Sequence, residues 1–175
     1  EQVTMSYGYG LSVSLFQLAH AYSIFARDGE LVPVSFLKTS GAVSGRMVIS
    51  AQTARAVRAM LEAAAGPGGT APRAQIMGYR VAGKTGTAYK QVGSGYSTHR
   101  YRASFVGFAP VSNPRLIVAV TVDEPSAGKY YGGDVAAPVF AKVMESALRS
   151  LRVAPDMPMK PVVLPPDDAR VEESI

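Results

Sequence analysis

Residues 79–123 read YRVAGKTGTAYKQVGSGYSTHRYRASFVGFAPVSNPRLIVAVTVD, and the way this stretch divides into strands decides the fold. YRVAGKTGTAY, ASFVGFAP and RLIVAVTVD are bounded by Gly, Pro, Asn and Ser and carry β-branched and aromatic residues, the pattern of three strands. VSNP is a turn of hairpin length, so the last two strands are expected to be antiparallel neighbours. KQVGSGYSTHRYR, polar and glycine-bearing, reads as a long loop between the first two. RLIVAVTVD is almost continuously apolar and is expected to be the most buried strand.

Inside the first strand, AGKTGTAYK places a lysine, two hydroxyls and a glycine where a doubly buried strand carries Val and Ile. Such a segment suits an edge along which an extended peptide lies. Gly86 removes a side chain that would hold the guest away, and backbone pairing orients it. Strict alternation puts Thr85 and Thr87 on one face, where both hydroxyls can share a carboxylate. A backbone N–H near Thr87 can face a developing oxyanion, a contact worth ~3 to 4 kcal/mol of barrier in acyl transfer. Lys84 falls on the opposite face and must be turned toward the others by twist or a bulge, or reach them with its long stem.

The flanks read as helices. Ser14–Arg27 has a helical stripe of Leu15, Leu18, Ala19, Tyr22, Phe25 and Ala26, with Ser14 and Gln17 at capping-box spacing and Gly29 beyond the end. Ser50 caps a second helix, with Ala54, Val57, Leu61 and Ala64 as its stripe and GPGG at 66–69 as its stop. A third is expected from about Asp134 to Arg152, with Pro138 in its first turn and Val139, Phe140, Val143, Met144, Ala147, Leu148 and Leu151 as its stripe. Between the first two helices, LVPVSFLK and RMVI read as short β-runs split by TSGAVSG, with Pro33 marking an edge. This order, with hairpin-length connections, implies an α+β fold: an antiparallel β-sheet with packed helices.

Composition narrows the function classes. The chain of 175 residues, 47% hydrophobic, can build one ordinary core. Residues 1–152 hold 16 Lys+Arg against 8 Asp+Glu, while residues 153–175 hold 2 against 5. The cations of the body are scattered rather than arrayed in a basic stripe, so nucleic acid is not the expected partner. With no Cys there is neither disulfide nor thiolate site, and His20 and His99 are too far apart to form a metal spacing. His20 borders an apolar stripe and reads as packed, while Asp123-Glu124 could pair as acids but lack the second site that sugar hydrolysis needs. The glycine pairs carry no phosphate-binding fingerprint, so no nucleotide, metal or other cofactor is expected. No stretch approaches the ~20 apolar residues that cross a bilayer.

KTGTA leading a strand, followed by SFVGFAP, GKYYGG and APVFAKVM and preceded by YGYGLSVSLFQLAHAYSIFARDG, resembles the penicillin-binding transpeptidases, specifically the class B enzymes of septal cell-wall synthesis. The resemblance covers about residues 7–153. It implies that residues 1–153 are the C-terminal part of a transpeptidase domain, and by composition 154–175, proline-rich and then acidic, is expected to be an extended or disordered tail. It also implies that Lys84, Thr85, Gly86 and Thr87 form the family's third active-site motif. There the lysine sets the electrostatics around the nucleophile, the hydroxyls bind the terminal carboxylate of substrate or β-lactam, and the second threonine's N–H completes the oxyanion hole. Tyr101, Tyr130 and Tyr131 match aromatic positions flanking the family's cleft.

The family's other motifs, Ser-x-x-Lys and Ser-x-Asn, precede Lys-Thr-Gly. This chain has no Ser-x-Asn, and its formal Ser-x-x-Lys match, Ser35 to Lys38, follows Pro33 in a strand-like run. In such a run positions i and i+3 face opposite sides, so Ser35 is not the expected nucleophile. The implied protein therefore has an upstream half carrying both motifs. It crosslinks peptidoglycan stem peptides through a serine acyl-enzyme and is a β-lactam target. It works on the periplasmic side of the bacterial inner membrane, anchored by a segment absent from this chain, among membrane proteins of the division machinery. A serine β-lactamase, a penicillin-sensing receptor domain and a non-catalytic division scaffold are the alternatives.

Overall fold

The computed structural model describes residues 11–93, 95–164 and 166. The YGYG opening of the first matched motif and the acidic end of the tail lie outside the described residues.

Helix α1 spans Leu15–Ala26 and starts with the expected capping box: Ser14 Oγ accepts from the Gln17 N–H at 3.1 Å, and the Gln17 side chain accepts from the Ser14 N–H at 2.9 Å. Strands β1 (Glu30–Leu31) and β2 (Arg46–Met47) are short and pair antiparallel. LVPVSFLK therefore contributes only its first residue to a strand. Beyond Pro33 the chain bends, and Ser35 and Leu37 bond each other through the serine hydroxyl. Helix α2 spans Ala51–Ala65, with Ser50 accepting from Thr53 N–H at 3.0 Å, and ends at Gly66.

After a 3-10 turn at Pro72–Ala74 comes the main sheet: β3 (Ala82–Val92), β4 (Gly95–Ala109) and β5 (Leu116–Asp123), antiparallel in the order β3-β4-β5. The expected loop between the first two strands is instead a hairpin. β3 runs on to Val92, the chain turns through Gly93 at φ +61°, and β4 begins at Gly95. A solvent-facing ribbon needs no apolar alternation, so its sequence looked like a loop. The burial order is also reversed: β5 is only half-buried, whereas β4 contributes Ala103, Phe105, Val106, Phe108 and Ala109 to the core. Position explains this, because β4 is central and β5 lies at the edge of the described sheet.

The expected C-terminal helix breaks at Ala136 into α3 (Gly132–Val135) and α4 (Ala137–Ser150), with Pro138 in the first turn of α4. Its buried stripe is Ala137, Phe140, Met144 and Leu148, while Val139, Val143 and Leu151 are exposed. Phe105 and Phe140 meet edge to face at 4.7 Å in the larger core cluster, between the sheet and α4. Phe108, three residues on and so on the opposite face, packs with Tyr22, Phe25 and Leu61 of α1 and α2. Helices thus cover both faces of one antiparallel sheet. The segment after α4 returns to the sheet: Tyr79 Oη donates to the Val153 carbonyl at 2.6 Å, and the Asp156 carboxylate accepts from the Arg80 N–H at 2.7 Å and the Ser112 N–H at 3.1 Å.

Candidate active site

Among the described residues β3 is an edge strand: β4 pairs one side of it and no strand lies on the other. Along it Lys84 is exposed, Gly86 and Thr87 are half-buried and Thr85 is buried. Cross-strand pairing places Thr85 opposite Phe105 and Thr87 opposite Ala103, on the face that α4 covers. Lys84 starts from the other face, opposite Val106, yet its Nζ lies 3.1 Å from Thr85 Oγ1 and 3.3 Å from the Thr85 carbonyl oxygen. The long stem, not a bulge, solves the alternation problem, since the register is regular from Ala82 to Tyr89 and shifts only beyond it.

The two threonine hydroxyls have different partners. Thr87 Oγ1 accepts from the backbone N–H of Gly132 at 3.0 Å. Thr85 Oγ1 donates to Thr70 Oγ1 at 3.2 Å. A Cβ at Gly86 would lie 2.6 Å from Ser104 Oγ, a hydroxyl that donates to the Gly86 carbonyl at 3.2 Å and would have to turn aside. Gly132 is similarly constrained: its Cβ would run into the Ser104 carbonyl and lie 2.9 Å from that of Gly86. The start of α3 thus sits directly on the backbone of the β3–β4 pair.

Tyr101, Tyr130 and Tyr131 come together, with Tyr89 as a fourth member that the sequence reading missed. Tyr89 lies opposite Tyr101, their rings 5.1 Å apart; Tyr101 stacks on Tyr130 at 4.1 Å and 13°, and Tyr130 meets Tyr131 at 4.6 Å. This ladder runs from the sheet to the residue before Gly132. Desolvation among the rings, followed by hydrogen bonding with Tyr89, raises the Tyr101 phenol above its ordinary pKa. The cross-strand spacing of Tyr89 and Tyr101 would have been a signal for the pairing had the hairpin been foreseen.

Beyond the ladder an ion cluster ties the sheet's far end. Lys90 Nζ donates to Asp123 at 2.8 Å and to Glu124 at 2.6 Å, reaching across β4 from β3 to the end of β5. These hydrogen bonds hold both carboxylates below their ordinary range and raise Lys90. Asp123 and Glu124 therefore act as a clamp on a cation. The Glu124 N–H also donates to the Tyr101 carbonyl at 3.0 Å, so the clamp and the ladder are joined. His20 Nε2 lies 2.7 Å from the Val32 carbonyl, a bond that fastens α1 to the segment after β1, and His99 lies in the β4 arm of the hairpin. Among the described residues no group of His, Cys, Asp or Glu could hold a metal ion, and no helix is long and apolar enough to cross a membrane.

The Lys-Thr-Gly element thus lies on an edge strand, its second threonine hydroxyl bonded to a helix start and its flank lined by stacked tyrosines. The chain belongs to the penicillin-binding protein transpeptidase domain family, which matches residues 1–145. It is 50% identical over 159 residues to the probable peptidoglycan D,D-transpeptidase PenA of Neisseria flavescens, covering 91% of this chain and 40% of that protein. It is 43% identical over 156 residues to the peptidoglycan D,D-transpeptidase FtsI of Escherichia coli strain K12, covering 89% of this chain and 26% of that protein. Among solved structures, the apo transpeptidase domain of Burkholderia pseudomallei penicillin-binding protein 3 superposes with a TM-score of 0.84 at 59% identity, covering 90% of this chain and 48% of that one. The chain thus spans between about a quarter and a half of these relatives.

Proposed function

We propose that the chain is the C-terminal part of a septal-type peptidoglycan D,D-transpeptidase, whose upstream half carries the Ser-x-x-Lys and Ser-x-Asn motifs. The observation that carries this reading is the Lys84–Thr87 edge, with Thr87 Oγ1 receiving the Gly132 N–H, so that the threonine meets a carboxylate with its hydroxyl proton. An extended D-alanyl-D-alanine end aligns along β3 by backbone pairing. Thr87 binds its carboxylate, and Lys84, held by Thr85, supplies positive charge beside the reacting carbonyl. The stacked Tyr101, Tyr130 and Tyr131 flank the peptide, and Gly86 keeps the strand slim.

The serine from upstream attacks the penultimate D-alanine carbonyl, and the tetrahedral oxyanion is met by the N–H of Thr87. Terminal D-alanine leaves with the proton taken from the serine. An amine of a neighbouring stem then attacks the acyl-enzyme, forming the crosslink and returning a proton to the serine. A β-lactam follows the first half of this path, and its opened ring stays attached. The setting is the periplasmic side of the inner membrane, with membrane proteins of the division machinery as partners; the names of the relatives, transpeptidases of the FtsI and PenA kind, support that setting.

Fluorescent penicillin tests the reading. The complete protein becomes covalently labelled on an upstream serine, while the isolated 175-residue chain does not. Thr87→Val slows acylation of the complete protein by roughly 1 to 3 kcal/mol of barrier, the loss of one partner of a desolvated carboxylate. A complete protein that stays unlabelled removes the enzymatic reading, and labelling of the isolated chain abolished by Ser35→Ala moves the nucleophile into this segment.

A further inference from the structure

Within β4 the Tyr101 carbonyl is turned toward β5, where it accepts from the Glu124 N–H at 3.0 Å, and the Ala109 carbonyl is turned the same way, accepting from the Arg115 N–H at 3.2 Å. Backbone groups point to alternate sides along a strand, so Ser104 directs its N–H and carbonyl the other way, toward β3. Gly86 is the cross-strand partner of Ser104 and therefore turns its carbonyl toward β4, while Thr87, one residue on, directs its N–H to the open edge. That carbonyl and that N–H belong to one planar peptide group, so whatever holds the first aims the second.

We propose that Ser104 is a positioning residue of the transpeptidase site: its hydroxyl, bonded to the Gly86 carbonyl, fixes and polarises the peptide group whose N–H, that of Thr87, meets the oxyanion. This deepens the transpeptidase reading above and rests on it.

Ser104 Oγ donates to the Gly86 carbonyl at 3.2 Å. A carbonyl oxygen has two lone pairs, so it can take this hydroxyl as well as a partner in the strand ladder. The bare Cα of Gly86 leaves the room: a Cβ there would come within 2.6 Å of Ser104 Oγ and turn the hydroxyl aside. Alternation puts the Ser104 side chain on the face where Phe108 packs with α1 and α2. The start of α3 bears on the opposite face, where the Gly132 N–H bonds Thr87 Oγ1 at 3.0 Å. The Gly86–Thr87 peptide is thus held from both faces of the sheet, by a hydroxyl on one and a helix start on the other. A hydrogen bond received at the carbonyl draws charge through the peptide and leaves its N–H a stronger donor. In ASFVGFAP the serine reads only as a polar residue of a strand, and its partner becomes visible once β3 and β4 are in register.

The experiment uses the complete protein and a penicillin isotopically labelled at its β-lactam carbonyl. Stopped-flow mixing separates the dissociation constant of the non-covalent complex from the first-order acylation rate constant, difference infrared spectroscopy reads the ester carbonyl stretch of the acyl-enzyme, and thermal melts run alongside. Ser104→Ala is expected to lower the acylation rate constant roughly threefold to fivefold, part of one neutral hydrogen bond, with the dissociation constant little changed. It should also move the ester stretch to higher frequency, because a weaker donor at Thr87 polarises that carbonyl less. A bond that served stability alone would lower the melting temperature and leave both readouts where they were. Ser104→Thr keeps the hydroxyl and should keep the wild-type frequency. An alanine variant that acylates at the wild-type rate or leaves the ester stretch in place, or a threonine variant that shifts it as far as alanine does, overturns the positioning role alone. A wild-type protein that no penicillin labels overturns the transpeptidase reading and this role with it.

Discussion

Replacing Gly132 with Ala sets local helix preference against tertiary contact. Gly132 opens α3, and alanine in a helix is favoured over glycine by about 1 kcal/mol, so helix propensity alone predicts a stabilised protein. The contacts predict the reverse. The new methyl would collide with the Ser104 carbonyl and approach that of Gly86 to 2.9 Å, and neither backbone oxygen can rotate away. The helix start must retreat by several tenths of an ångström, which stretches the 3.0 Å bond from its N–H to Thr87 Oγ1 beyond useful length. Overpacking of this kind costs about 1 to 3 kcal/mol, and the weakened hydrogen bond about 1 more. Offset by the helix term, the net loss is about 2 kcal/mol, or roughly 4 to 8 °C in melting temperature for a chain of this size. Thermal unfolding followed by circular dichroism reads it directly, and acylation of the complete protein should slow as well, because Thr87 loses its fixed orientation. A melting temperature unchanged or raised in Gly132→Ala would show that α3 does not bear on the strand as described.

The Lys90 clamp sets a pH dependence of stability. Asp123 and Glu124 titrate below their ordinary range when folded, so their contribution is present above that range and is lost as pH falls through the lowered values. Lys90 is raised, so its share is complete below its ordinary value and is lost as pH climbs through the raised one. Lys90→Met should therefore melt less steeply with acid than the wild type as pH falls below about 4.5, and equal slopes there would dismiss the clamp. Phe140, fully buried against Phe105, should cost about 3 to 5 kcal/mol when truncated to Ala, a fall of roughly 6 to 20 °C; a change of a degree or two would mean that the sheet and α4 do not share a tight core.

Much of this architecture was legible in the residues because it rests on local chemistry. The Ser14–Gln17 capping box, the Ser50 cap, the GPGG stop and Pro138 in a first turn were all found where their side chains demand them. What escaped depends on neighbours distant in sequence. RLIVAVTVD gave no sign that it would lie at an edge, and Val139, Val143 and Leu151 match an apolar stripe although the described residues leave them exposed. The polar hairpin at 90–102 hid because strand pairing exposed to water needs backbone partners rather than apolar ones. In the site, Lys84 to Thr87 could be picked out from their residue types, whereas Thr70, Tyr89 and the Gly132 N–H join them only through contacts across 15, 12 and 45 residues.

The structure of the complete protein acylated by a penicillin tests the central claim most directly. The opened antibiotic should lie along the outer edge of β3, its carboxylate within about 3 Å of Thr87 Oγ1 and its carbonyl oxygen facing the Thr87 N–H. An adduct whose carboxylate is held away from residues 84–87, or whose long axis crosses the strand instead of following it, would contradict the account.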